Sequence, residues 1–318
     1  YRTTAIAISK DGQWSLPALP VHSDGTTNPE AISDTLAATG PATTSAALSA
    51  LGTNTVVMPL LHGPLGEDGT IQGLLELLNL AYVGSAVLAS AVAMDKGVSK
   101  SLFAQHNIPQ ARHITLREDA ITPSVLQDAA SRLGLPLFVK PANMGSSVGV
   151  TKAHTIEEFQ AAVAHAATYD EWIVLEECIT GREIEVAVIG NRSPRASVAG
   201  EIIPGNEFYD YEDKYVTDSA TLMIPALLSE QESNAVRELA LRAYNALHCE
   251  GMARVDFFYE ENGRGFLCNE INTIPGFTPI SMYPKLWNAT GVPYSQLIDE
   301  LIELAIERHA RRKRTTSR

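Results

Sequence analysis

Apolar and polar positions alternate along Arg254-Val255-Asp256-Phe257-Phe258 and again along Cys268-Asn269-Glu270-Ile271-Asn272, the pattern of two strands. Between them lies Glu261-Asn262-Gly263, and Asn-Gly between such runs is a strong hairpin signal. Side chains two apart share a strand face, so Arg254 goes with Asp256 and Glu270 with Asn272. Asp256 lies six residues before Asn262 and Glu270 seven after Gly263, so a three-residue or bulged turn sets the two carboxylates opposite each other. Facing carboxylates repel unless a cation sits between them.

The same reading organises the rest of the chain. Ala5 to Ile8 is a strand, Asp11-Gly12-Gln13-Trp14 a turn, and Asp24 to Leu51 a small, polar stretch read as a loop with one helix. The apolar run Thr55 to Leu61 is a buried parallel strand, and it enters the glycine-rich loop His62-Gly63-Pro64-Leu65-Gly66-Glu67-Asp68-Gly69. Ile71, Leu74, Leu75 and Leu78 then have helical spacing. Val87 to Gln105 reads as one long helix or as a helix interrupted at Lys96. A second unit predicts a helix over Pro123–Leu133, a strand over Leu137–Pro141, the loop Asn143 to Gly149, a helix capped by Thr155 with Glu158 three residues on, and a strand at Trp172–Glu176. Strands at Ile184–Ile189 and Ala196–Ile203 follow, then a polar aromatic loop within 205–220, Phe208 to Tyr215, that reads as a lid. A helix from Ser229 to His248, the hairpin and a last helix from Ser295 to about Arg311 complete the chain.

Composition narrows the class. The chain has 318 residues, 45% hydrophobic and 19% charged, and no stretch approaches the ~20 apolar residues of a membrane helix. Cys178, Cys249 and Cys268 form neither a disulfide framework nor a zinc motif, which fits a reducing cytoplasm. The net charge of −13 hides an asymmetry, because residues 308–318 carry six Lys/Arg and no acid. An acidic body is a poor partner for nucleic acid, and the basic tail reads as a solvated, frayed end.

Two carboxylates and an amide oxygen make a hard-oxygen set suited to Mg²⁺, whose shell substrate phosphates complete. Ile274-Pro275-Gly276-Phe277 follows as a turn that brings backbone close to a ligand. Lys140 closes an apolar strand five residues before Gly145-Ser146-Ser147-Val148-Gly149; the loop amides can wrap phosphate oxygens while the lysine supplies charge, although a surface turn explains the same residues. Lys96 is a second phosphate candidate, or an ordinary lysine at a helix end. Glu176, Glu177 and Ile179 end a buried strand whose free backbone groups suit a purine edge, with Glu183 placed for ribose hydroxyls; the alternative is a solvated strand end. His62 is either a satisfied imidazole or a lining residue of a substrate pocket. Ser-His-Asp, HExxH and GxGxxG patterns are absent, which favours phosphoryl chemistry.

In order and spacing, these motifs resemble the D-alanine–D-alanine ligases of the ATP-grasp superfamily over nearly the whole chain. The resemblance rests on His62-Gly63 through Glu67-Asp68-Gly69, Met94-Asp95-Lys96, Lys140-Pro141 with Gly145 to Gly149, Tyr209-Asp210-Tyr211 with Lys214-Tyr215, Arg254-Val255-Asp256, and Asn269 to Thr273 through Pro275-Gly276 to Ser281. It implies a mixed α/β (α+β) ATP-grasp fold of three domains. These are a doubly wound N-terminal α/β domain over 1–95, a central ATP-grasp subdomain over 96–180, and a C-terminal subdomain over 181–318 with the lid and the tail. It implies that Asp256, Glu270 and Asn272 bind two Mg²⁺ ions, with Mn²⁺ as a substitute, and that Lys96 and Lys140 hold ATP phosphates beneath Ser146 and Ser147. Adenine would lie near Glu176, Glu177, Ile179 and Phe258, with ribose on Glu183. Arg254 and the Gly276 N–H would stabilise the tetrahedral oxyanion, and Ser281 with the Met282 N–H would hold the carboxylate of the second D-alanine, with His62 in the same pocket. Tyr215, linked to Ser146, would close the lid and favour D-alanine over D-lactate, with Lys214 near the γ-phosphate. The implied protein is a cytoplasmic homodimer making a peptidoglycan precursor.

One departure stands out. The chain begins at what resembles the family's second strand, so a strand, a glycine-rich loop with a Glu-His-type motif, and a helix are expected ahead of Tyr1. Without them the chain would bind ATP but ligate poorly. The rival readings are therefore a ligase for another D-amino acid or D-lactate, a paralogue making a specialised peptide, and a non-catalytic ATP-binding module. A basic-tail adaptor for RNA or anionic lipid is the remaining rival.

Overall fold

A computed structural model describes residues 1–9, 13–15, 51–52, 54–203, 221–278 and 281–312. The chain divides into two compact units, Tyr1–Thr55 and Val56–Arg318. In the first, β1 (Ala7–Ile8) pairs antiparallel with β2 (Trp14–Ser15), so Trp14, expected in a turn, lies in a strand, while Asp11-Gly12 fall outside the described residues. The expected helix between Asp24 and Leu51 and the lid at 205–220, with Lys214 and Tyr215, lie outside the described residues.

The second unit opens with β3 (Val56–Val57), parallel to β4 (Ala81–Tyr82) and connected through α1 (Thr70–Leu77). The long apolar stretch after it is two helices, α2 (Val87–Met94) and α3 (Lys96–Gln105). They meet at Asp95, whose extended backbone breaks the first helix and whose carboxylate accepts from Val98 N–H to start the second.

A four-stranded sheet follows, ordered β5 (His113–Arg117), β8 (Trp172–Glu177), β6 (Leu137–Pro141) and β7 (Thr151–Ala153). Helices α4 (Pro123–Leu133) and α5 (Ile156–Ala166) cover one face with Leu126, Ala130, Phe159 and Val163. Thr122 caps α4, with Pro123 in its first turn. Thr155 caps α5 as expected, but the Glu158 carboxylate reaches past it to the His154 N–H.

The second large sheet runs β11 (Thr221–Met223), β10 (Arg195–Ile203), β9 (Arg182–Gly190), β12 (Gly251–Glu260), β13 (Gly265–Asn272), all antiparallel. Helix α6 (Glu230–Ala246), started by a Ser229/Glu232 capping box, packs Val236, Ala240 and Tyr244 on one face against Ile184, Val186, Val188, Val255 and Phe257. Helices α7 (Met282–Ala289) and α8 (Tyr294–Arg312) cover part of the other face, burying Ala187, Ile189 and Met252 under Tyr283, Leu286, Trp287 and Leu301.

That second face changes character along its length. Met252, Arg254, Asp256 and Phe258 alternate onto it, as do Glu183, Glu185, Ala187 and Ile189. It is apolar where α7 and α8 cover it and charged where they stop. The charged end faces the four-stranded sheet across a cavity of about 540 Å³. No helix among the described residues is long and apolar enough to cross a membrane.

The end of α8 corrects one expectation. The first part of the basic tail is not frayed: Arg308 is 3% exposed, donates to the Gly84 and Tyr82 carbonyls and stacks on the Tyr82 ring. Arg311 pairs with Glu250 and Arg312 with Glu76. These arginines serve as the last-turn anchor of a packed helix.

Candidate active site between two sheets

The floor of the cavity is the hairpin. Asp256 pairs directly with Glu270, and Arg254 with Asn272. The extra residue that produces this register is Asn269, because Phe257 pairs with Cys268 and the ladder then skips to Glu270. Without that bulge Asn269 would face Asp256, and Glu270 would turn toward the core. The bulge thus lies in β13, while the turn spans residues 261–264 between Glu260 and Gly265. The Pro109 carbonyl accepts from the Cys268 N–H and fixes the strand at the bulge.

Arg254 donates to both oxygens of Asp256, 2.7 Å each, and lies 3.0 Å from Glu185. Burial disfavours its charge, but Asp256 and Glu185 more than offset this and hold its pKa well above the ordinary value. Asn272 Nδ2 donates to Asp256 at 2.9 Å, which leaves its carbonyl oxygen as the end able to ligate a cation. Among the described residues no group of three His, Cys, Asp or Glu is arranged to hold a metal ion. The floor has two carboxylates and one amide, a set that suits Mg²⁺ with waters or phosphate oxygens completing its shell.

The facing sheet supplies cations. Lys140 Nζ donates to Glu176 Oε2 at 2.9 Å and reaches Asn269 Oδ1 at 3.5 Å, linking the two sheets. Burial pushes the Glu176 carboxyl up, but Lys100 and Lys140 outweigh it and hold its pKa down at about 2. Lys96 Nζ donates to the Met144 carbonyl at 2.6 Å, tying the start of α3 to the loop. Burial lowers the Lys96 pKa, against the opposing pull of Glu270 and Glu176.

The loop between β6 and β7 forms the roof. Ser146 and Ser147 both take positive φ, 50° and 61°. Gly145 is closely packed, since a Cβ there would lie 3.3 Å from Gly63 Cα. Gly149 is tighter, at 2.7 Å from Pro141 and 2.8 Å from the Tyr169 ring. The loop is thereby pressed onto the glycine-rich segment after β3.

The cavity wall brings together most of the expected residues: Lys96, Lys140, Ser146 and Ser147; Glu176, Glu177, Ile179 and Glu183; Phe258; and Arg254, Asp256, Glu270 and Asn272. His62, Gly276, Ser281 and Met282 lie outside it. Burial lowers the His62 pKa, with the Ile274 backbone opposing and the Arg254 charge adding to the effect, so the imidazole lies within electrostatic reach of Arg254. A Cβ on Gly276 would meet Ser281 Oγ at 2.9 Å, so the two touch. Ser281 Oγ accepts from the Thr278 N–H instead of capping α7, and the Met282 side chain is buried in the core, which leaves backbone as its polar face. The Glu177 carboxylate is taken up by Arg112 and Arg264. Burial works to raise its pKa, and the Arg112 N–H and the two guanidinium groups hold it low. Only its backbone remains for a ligand.

Two charged groups in this region have no role in the sequence reading. Glu67 accepts from Gly63 N–H at 2.6 Å and borders the cavity; burial raises its pKa to about 7, with Glu270 adding to the effect. Lys100, 1% exposed, lies behind Glu176 at 3.2 Å. Lys100 follows Lys96 by four residues and so shares its helix face, which is the signal that points to it.

Two sheets enclosing a cavity, with lysines and a strained loop on one side and paired carboxylates on the other, define an ATP-grasp enzyme. The family profile described as D-ala D-ala ligase C-terminus matches residues 102–303, and D-ala D-ala ligase N-terminus matches 1–85. The chain belongs to the D-alanine–D-alanine ligase family. It is 52% identical over 261 residues to the D-alanine–D-alanine ligase of Solibacter usitatus, covering 82% of this chain and 79% of that one. The Shouchella clausii enzyme of the same name is 46% identical over 100% of this chain and 89% of its own. Among solved structures, the D-alanine-D-alanine ligase from Coxiella burnetii matches with a TM-score of 0.73 at 39% identity, over 97% of this chain and 76% of that one. The VanG D-Ala:D-Ser ligase from Enterococcus faecalis matches at 0.81 and 32% identity, over 94% and 88%.

Proposed function

We propose that this chain joins two D-alanine molecules into D-alanyl-D-alanine at the expense of ATP, through an acyl phosphate, in cytoplasmic peptidoglycan precursor synthesis. The observation that carries the reading is the Asp256/Glu270 pair held in register opposite Lys96 and Lys140 across one cavity. The charge of a transferring phosphoryl group is spread over its oxygens, and catalysis is largely positioning and electrostatic stabilisation. Lys96 and Lys140 supply cationic donors to those oxygens from the roof side. Asp256, Glu270 and Asn272 would hold Mg²⁺ or Mn²⁺, two ions in our reading, which supplies Lewis-acid neutralisation of the phosphates.

The backbone at Glu176, Glu177 and Ile179 faces adenine, beside Phe258, with Glu183 at the ribose. Transfer of the γ-phosphoryl group to the first D-alanine carboxylate releases ADP and gives the acyl phosphate. The second amine, its ammonium proton lost, attacks the carbonyl carbon, and the developing oxyanion is met by the Arg254 guanidinium and the Gly276 N–H. Collapse breaks the bond to the phosphate oxygen and expels inorganic phosphate. Ser281 and the Met282 N–H orient the second substrate by its carboxylate, while His62 beside Arg254 lines the same end. Lys214 and Tyr215 belong to the closing lid, with Tyr215 engaging Ser146. The working unit is a homodimer whose chains each comprise segments 1–95, 96–180 and 181–318.

Curated relatives near 50% identity bear the D-alanine–D-alanine name, which supports D-alanine over D-serine or D-lactate as second substrate. The test is ADP release with Mg²⁺-ATP and D-alanine, L-alanine, D-serine or D-lactate, with products identified by mass. Release that needs D-alanine and yields D-alanyl-D-alanine supports the reading. Release with a mixed D-alanyl product only, or none with any acid, overturns it.

A further inference from the structure

The lysine behind the site has no assigned part in the reaction. Lys100 is 1% exposed and Glu176 2%, and Lys140 is close to buried at 9%. They form a chain of alternating charge, Lys100 Nζ to Glu176 Oε1 at 3.2 Å and Glu176 Oε2 to Lys140 Nζ at 2.9 Å. Lys140 donates to one oxygen of the carboxylate and Lys100 is ion-paired with the other, so Glu176 is held between two cations. Gln110 Nε2 donates to the Lys100 carbonyl and so holds its backbone, leaving the ammonium group to Glu176.

The arrangement solves a problem that a simple ion pair would create. Glu176 fixes the Lys140 ammonium in place, but a carboxylate bonded to a lysine cancels the charge that an anionic ligand needs. A second buried cation cancels the carboxylate instead. The triad as a whole keeps one positive charge, and Lys140, which lines the cavity, is where it is presented.

We propose that Lys100 is a positioning residue for ATP. By neutralising Glu176 from behind, it lets that carboxylate orient Lys140 without quenching its attraction for the phosphates. This rests on the ligase reading above, and the experiment separates the two. ATP affinity with Mg²⁺ is measured by calorimetry, and KM for D-alanine by ADP release, for the wild type, Lys100→Met and Lys100→Met/Glu176→Gln. Lys100→Met removes the compensating cation and weakens ATP binding about tenfold or more, while KM for D-alanine moves less than about threefold. The double variant removes cation and carboxylate together, restores the single positive charge on Lys140, and recovers ATP affinity to within about threefold of the wild type. A purely packing role predicts no recovery, since the second substitution disturbs the site further. Unchanged ATP affinity in Lys100→Met, equal loss for ATP and D-alanine, or no recovery in the double variant overturns the inference. Should Lys100→Met fail to fold, the double variant decides alone: near-native ATP affinity supports the proposal, and a loss beyond about tenfold overturns it. A wild-type chain that binds no ATP sinks the ligase reading and this inference together.

Discussion

The floor and the roof of the cavity hold charge in opposite ways. On the floor, β12 is bonded on both sides, to β9 and to β13, and from Ala253 to Phe258 its side chains alternate between the α6 core and the cavity. Asp256 and Glu270 face each other because the whole ladder and one bulge place them there. On the roof, the loop after β6 makes tight local turns, Val148 N–H to the Gly145 carbonyl and Val150 N–H to the Ser147 carbonyl, and it carries two successive non-glycine residues with positive φ. Each such residue costs on the order of 1–3 kcal/mol that the surroundings must offset. The like charges of the floor need fixed separations, which a paired sheet supplies. In the function proposed above, the roof brings backbone N–H groups close to phosphates, a task that positive-φ residues serve by turning successive amides to one side.

If that contrast holds, the floor governs chemistry and the roof governs nucleotide binding. Glu270→Gln keeps the strand and its size but removes a carboxylate charge, so it lowers turnover by at least ~100-fold while the fold survives. ADP release checks the loss and circular dichroism the fold; an unfolded variant would make Glu270 structural. Gly149→Ala strikes the roof, where an added Cβ meets Pro141 at 2.7 Å and the backbone has φ +73°. It should cost about 2 kcal/mol of stability and raise KM for ATP roughly tenfold, with KM for D-alanine nearly unchanged. Equal changes for both substrates would erase the distinction between floor and roof.

Glu67 sits where the two meet. Its folded-state pKa of about 7 lies above the ordinary value of 4.5. Its contribution to stability is therefore fully present below pH 4.5 and lost as pH rises through 7. Glu67→Gln cannot ionise, so it should match the wild type near pH 4 and exceed it by about 2 kcal/mol at pH 8, after allowance for partial exposure. Thermal melts at both pH values test this; equal melting at pH 8 would show that the carboxylate is not penalised. The smallest effect is expected at Arg312, 45% exposed in its pair with Glu76, where Ala should cost under about 1 kcal/mol by the same melts. A larger loss would mean that this end of α8 carries more than surface charge.

Much of the fold was legible in local pattern. Helix α4 spans the expected Pro123–Leu133, and the facing of Asp256 and Glu270 follows from counting out from Asn262-Gly263. Helix α7 escaped that reading, because it is only 8 residues long and the Ser281 hydroxyl bonds Thr278 in place of a cap. The location of the bulge was likewise hidden, since turn length and bulge position trade off in the count. The assembly of the site depended on distances no window contains: Lys140 meets Asn269 across 129 positions, and Lys100 meets Glu176 across 76. A lysine inside a helix reads as solvated until its distant partner is known. The resemblance placed Lys96, Lys140 and the hairpin residues at one cavity, but not the charges behind and beside them.

The central claim is that the register of β12 and β13 builds a cation site that works with ATP. Electron paramagnetic resonance titration of free Mn²⁺, with ATP saturating, measures it directly on the wild type and Glu270→Gln. The account predicts two ions bound per wild-type chain with ATP and fewer in the variant. Equal binding by both would contradict it.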